Sequence, residues 1–171
     1  PQDRNIISGN LNTGIRITDT SPGGNIVRGN YIGLDESGSL ALENGNYGVW
    51  VNCGGNTIGG SAAGQGNVIA GNPDANILID NTSGAGNIIQ GNRIGTDASG
   101  AGAIASDYTI GIFVTAASTI IGGANPGEGN LISGCYYGIE ILNAVSHNNT
   151  IRGNRIGTDL SGTVGISNNE G

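Results

Sequence analysis

The sequence predicts an all-β chain wound as a single-stranded parallel β-helix, with three short strands per turn and about five turns, in one domain over residues 1–171. Three observations carry that expectation: a phrase that returns at a fixed interval, apolar segments of period two, and a composition dominated by glycine and asparagine corners. NIVRGNYIGLD starts at Asn25, NIIQGNRIGTD at Asn87 and NTIRGNRIGTD at Asn149, so the interval is 62 residues each time. The 34 glycines and only seven aromatic residues argue against a helical globule.

Sorted by order, the apolar segments fall into three columns of strand-like alternation. Column one holds GIRI, GVWV, NILI, GIFV and GIEI, starting at Gly14, Gly48, Asn76, Gly111 and Gly138. Column two is headed by Asn25, Asn56, Asn87, Thr119 and Asn149, and column three by Asn5, Asn30, Asn67, Asn92, Asn130 and Asn154. Alternation turns one set of side chains inward. That set includes Ile15 and Ile17, Val49 and Val51, and Ile139 and Ile141 in column one, a row from Val27 to Ile151 in column two, and a row from Ile7 to Ile156 in column three. Asparagine heads the strands because its amide bonds the equivalent amide one turn away, and because it tolerates the backbone of a corner.

The loops explain the doubled period. One turn carries its insertion after strand three (LDESGSLALENGNY), and the next carries it between strands two and three (SAAGQG, later ANPGEG). Two turns therefore make one 62-residue super-repeat. Turns stacked about 4.8 Å apart give a rod about 25 Å long.

Composition sets some partners aside. Six basic residues, all arginine, face thirteen acids for a net charge of −7, so no nucleic-acid or anionic-membrane partner is expected. Apolar runs of three or four residues leave no stretch for membrane insertion as a helix.

With its columns in place, the chain resembles the right-handed parallel β-helix repeat proteins of the pectin lyase-like superfamily. It is most similar to the tandem NTIxGNxIGTDxxG arrays of bacterial secreted and surface proteins, through NIVRGNYIGLDESG, NIIQGNRIGTDASG and NTIRGNRIGTDLSG. The resemblance implies an extracellular or cell-surface location and right-handed winding, which agrees with the rule for parallel crossovers. It does not choose an activity, since the superfamily includes lyases, hydrolases, epimerases, tailspikes and non-catalytic modules.

The search for chemistry turns up little. The outward position of column one reads Arg16, Trp50, Leu78, Phe113 and Glu140, with a single acid. Column three projects Ile6, Tyr31, Val68, Arg93, Leu131 and Arg155, again without a carboxylate pair for general acid and base work. The regular carboxylates are Asp35, Asp97 and Asp159 in D-x-S-G corners, where capping of the turn is the first reading and a bound cation such as calcium the second. No cofactor is expected. His147, the one histidine, sits in a polar connection, and Cys53 and Cys135 are expected as buried free thiols in different columns. The sequons at Asn81 and Asn148 are what chance supplies in so Asn-rich a chain.

The binding candidates are Trp50, Leu78 and Phe113, flanked by Arg16 and Glu140, with Tyr47 and Tyr137 close in sequence. This aromatic row suits a polysaccharide or another protein surface. The competing expectation is that the long loops fold over it, and over the outward Ile26, Ile88 and Ile120. Neither end carries a capping element, so the chain is read as a fragment of a longer array or a module that self-associates end to end. Three functional classes remain: a non-catalytic rigid module with a glycan- or protein-binding face, a fragment of a polysaccharide-active lyase or glycoside hydrolase, and a self-associating structural element.

Overall fold

The computed structural model describes residues 3–18, 23–80, 86–104, 108–143 and 145–171, and among these every regular element is a β-strand. The strands form three parallel sheets. Sheet one contains Ile15–Thr18, Tyr47–Asn52, Ala75–Ile79, Ile110–Val114 and Tyr137–Ile141. Sheet two contains Ile26–Val27, Thr57–Gly59, Ile88–Gln90, Ile120–Gly122 and Thr150–Arg152. Sheet three contains Ile6–Ile7, Tyr31–Ile32, Val68–Ile69, Arg93–Ile94, Leu131–Ile132 and Arg155–Ile156. The chain visits the sheets in rotation, and each strand pairs with its counterpart one turn away. This is a β-solenoid in which five strands of one column are separated by four inter-turn steps.

Register follows the repeat. Ile15, Val49, Ile77, Ile112 and Ile139 pair in one line, while Arg16, Trp50, Leu78, Phe113 and Glu140 pair in the next. Val49, Ile58, Ile69, Ile77, Ile89, Ile94, Ile112, Ile121 and Ile132 are wholly buried in a single core. Each such side chain contributes about 1.5–3 kcal/mol through removal from water. Ile15, Ile17, Ile139, Ile141 and Ile156 pack against that core from the outer levels and are only partly covered. Ile151 keeps its register with Ile121 but is 46% exposed, because its strand is the edge of sheet two.

The asparagine columns are real ladders. In column three each amide nitrogen donates to the next amide oxygen, from Asn5 through Asn30, Asn67, Asn92 and Asn130 to Asn154, at 2.8–3.1 Å. The same oxygen also accepts the backbone N–H one level back, as Asn92 does from Asn67 at 3.0 Å. Column two runs Asn25 to Asn56 to Asn87 and stops at Thr119, whose hydroxyl finds no partner among the described residues.

A third ladder runs along the corner after sheet three. Asn10 donates to Asn44, Asn44 to Asn72, Asn72 to Asn76, and Asn76 to the Cys135 sulfur. Cys135 then donates its backbone N–H to the Asn168 amide at 3.0 Å.

The outer face of sheet three, not sheet one, carries the D-x-S-G insertions, which bury Tyr31 and Val68 in a second cluster with Leu34, Ala70 and Ile104. Ile26 is 60% exposed, so the expected cover over the sheet-two face is absent there, and Ile88 and Ile120 are half-buried. Asn81 lies outside the described residues; Asn148 is exposed with φ 58°.

Candidate functional site

Two outer faces carry the residues of interest. On sheet one, Trp50 is half-buried, with the Arg16 guanidinium 4.3 Å from its ring centroid and the Tyr47 ring 6.0 Å away. Leu78 is buried between Trp50 and Phe113 in the pairing line, and Phe113 and Glu140 are half-buried. Tyr137 joins a different group: its ring lies 4.8 Å from Tyr136, which lies 5.1 Å from the exposed Tyr108. The anticipated row is therefore one line in register, with an aromatic cluster at each end. Burial, then Asp74 and Asp80, push the Tyr47 hydroxyl above its ordinary value. Glu170, joined to Tyr137 by an isolated bridge, does the same for Tyr137.

The D-x-S-G aspartates are occupied by their own turns. Asp35 accepts from the Ser37 hydroxyl at 2.8 Å and from the Ser39 and Leu40 amides at 3.1 Å. Asp97 accepts from Ser99, Gly100 and Ala101, and Asp159 from Ser161, Gly162, Thr163 and Val164. All three carboxyls sit below the usual range. The Ser37 and Ser161 hydroxyls are the chief cause at Asp35 and Asp159; at Asp97 burial opposes the shift but the Ser99 hydroxyl and turn amides outweigh it. Among the described residues no three His, Cys, Asp or Glu side chains gather as a metal set.

Cys53 and Cys135 are free and buried. Burial pushes the Cys135 thiol up to about 12, against a smaller opposing effect of Asn76, so it is no nucleophile at neutral pH. His147 is exposed beside Asn148.

The second face was not anticipated as a site. A groove of about 680 Å³ runs along the outside of sheet three, and its floor presents Val68, Arg93, Leu131 and Arg155, with Tyr31 and Arg4 at one end. One wall is the pair of loops around residues 60–66 and 123–129, mostly glycine and alanine; Ala98 and Leu160 of the D-x-S-G loops stand opposite. The D-x-S-G loops stack on one another, Ala98 N–H to Gly38 carbonyl at 2.8 Å and Leu160 N–H to Gly100 carbonyl at 2.9 Å. Gly100 makes this close approach possible. It has φ 73°, and a Cβ there would lie 3.0 Å from Leu131 and Leu160 and 3.4 Å from Arg93 Nε.

Comparison with protein-family models, curated proteins and solved structures returned no match to this chain.

Proposed function

We propose that the chain is a non-catalytic, rigid β-solenoid module of a secreted or cell-surface bacterial protein, which offers its sheet-one face to a glycan or a protein. On this reading it is a right-handed member of the pectin lyase-like superfamily, close to the NTIxGNxIGTD arrays its repeats resemble. The observation that supports it best is the line Arg16, Trp50, Leu78, Phe113 and Glu140, which the pairing of five strands holds in register. Trp50 and Phe113 are only half-buried, and aromatic side chains of this kind suit sugars or apolar side chains. The residues that would otherwise serve catalysis are engaged in structure: the Asp35, Asp97 and Asp159 carboxylates in turns, and Cys135 in a ladder.

A glycan array, combined with product assays on pectin, alginate and xylan, tests this. The expected outcome is binding that falls on Trp50→Ala and Phe113→Ala, with no released products. Unsaturated or reducing-end products from the purified chain would replace this reading by the polysaccharide-active enzyme. Concentration-dependent association with no ligand would favour the self-associating structural element.

A further inference from the structure

We infer that the sheet-one face binds an extended basic segment of another protein, with two lysine or arginine side chains four residues apart and an apolar residue midway between them. The inference rests on the sheet-one reading above and names the class of its partner. Composition, placement and spacing support it.

Six of the chain's seven aromatic residues lie on sheet one or in the cluster at its end, with Tyr31 the exception. Acids accompany them: Asp74 and Glu170 are exposed, and Asp80 and Glu140 are half-buried. Within the five strands the only basic residue is Arg16. A surface of rings and carboxylates attracts guanidinium and ammonium groups, because the ring face draws a cation and the carboxylate pairs with it. The face already holds one such contact, the Arg16 guanidinium 4.3 Å from the Trp50 ring centroid.

The acids gather at two stations, each built on a tyrosine. Tyr47 and Tyr137 belong to one line of the sheet, joined through Ala75 and Ile110. Each precedes a glycine, Gly48 or Gly138, on which a Cβ would meet the core side chains Ile69 at 2.8 Å and Ile156 at 3.2 Å. Alternation from that inward position turns both tyrosines to the outer face. At the first station Asp74 precedes Ala75, the pairing partner of Tyr47, and Asp80 follows the inward Ile79. At the second, Glu170 bridges Tyr137, and Glu140 lies on the same strand.

Three strand steps separate the stations, about 14 Å. An extended chain laid along the rod projects side chains four residues apart to the same side at about 13–14 Å. A helix returns residues to one face at about 10 or 16 Å, for seven or eleven residues, and fits less well. Half-buried Ile110 and Phe113 lie between the stations, where an apolar residue of the segment would rest. Residues 1–171 contain no lysine and no two arginines four apart, so a second copy does not supply the segment.

The test is fluorescence anisotropy of a labelled peptide, Ser-Lys-Ser-Val-Ser-Lys-Ser, titrated with the intact chain at low and high salt. Peptides with lysines two or six residues apart, and one with glutamate in place of lysine, are the comparisons. The four-residue spacing should bind tightest, weaken with salt, and lose about threefold on each of Asp80→Asn and Glu140→Gln. Arg16→Gln should tighten binding about twofold, since it removes a competing cation from the face. Glu36→Gln, an exposed acid in a D-x-S-G loop, is the charge-matched control. The inference is overturned by no binding of the lysine peptide, by equal affinity for the three spacings or for the glutamate peptide, by equal loss on Glu36→Gln, or by weaker binding on Arg16→Gln. Glycan binding that falls on Trp50→Ala while the lysine peptide stays unbound would overturn this inference alone and leave the sheet-one reading standing.

Discussion

The inside and the outside of this solenoid keep different time. Within the coil the same kind of residue recurs at every level: Ile69, Ile94 and Ile132 are successive members of one buried row, and Asn67, Asn92 and Asn130 of one ladder. On the outer face of sheet three the pattern recurs only at every second level, as Arg93, Leu131 and Arg155, because loops of one kind occur only on alternate turns. The inner period is set by the strand spacing, which no turn escapes; the outer period is set by where insertions are tolerated. The buried core accordingly follows the one-turn repeat, and the loop-covered outer face the two-turn repeat.

Neighbouring residues on one strand give the sharpest way to break that contrast. Ile112 is wholly buried, whereas Phe113 points outward and is half-buried. Ile112→Ala is expected to cost about 3 kcal/mol and Phe113→Ala about 1 kcal/mol, read from urea denaturation midpoints. Equal losses would mean that the sheet-one face is covered like the core and is no free surface.

The ladders allow the same contrast between a central and an edge level. Asn92→Ala leaves the Asn67 backbone and amide N–H groups without their acceptor and strips donors from the Ile58 and Gln90 carbonyls. A loss of about 2–3 kcal/mol is expected, against under about 1 kcal/mol for Asn25→Ala, whose side chain is exposed on an edge strand. Similar losses at both sites would show that the ladder acts through corner geometry rather than through satisfied amides.

What was legible in the sequence follows the same division. The inward rows and two of the three ladders could be read because every turn repeats them, and Asn25, Asn56 and Asn87 lie one beneath another as their spacing implies. Of the third ladder only the corner position after sheet three at Cys135 was legible; its run through Asn10, Asn44 and Asn72 shows in the structure. The groove was hidden. Its floor could be listed residue by residue, but its walls are loops of different super-repeats, and Arg4 reaches Tyr31 from the preceding turn. The 62-residue recurrence of Arg93 and Arg155 in an outward position was the one signal available.

The D-x-S-G turns provide a pH test of the outer repeat. Asp35, Asp97 and Asp159 lie below the ordinary value of 3.8 in the folded chain, so their stabilising contribution is present above that value and is lost as pH falls through the folded-state values. Urea midpoints followed between about pH 2 and pH 6 should decline at the acid end. The decline should be shallower for a variant with Asp35→Asn, Asp97→Asn and Asp159→Asn. An unchanged acid limb would assign the loss to other carboxylates.

The smallest effect expected is a gain. Cys135 stands in the third ladder, where its backbone N–H bonds the Asn168 amide as an asparagine would, but its sulfur accepts from Asn76 at 3.8 Å. An amide oxygen is a far better acceptor than a thiol sulfur, and an amide nitrogen adds a donor at that level. Cys135→Asn should therefore raise stability by about 0.5–1 kcal/mol, seen as an increased urea midpoint. Against this stands the fit of the sulfur, since a Cβ on Gly111 would already lie 3.3 Å from it. A lowered midpoint would mean that the corner is sized for cysteine, and that close packing there outweighs completion of the ladder.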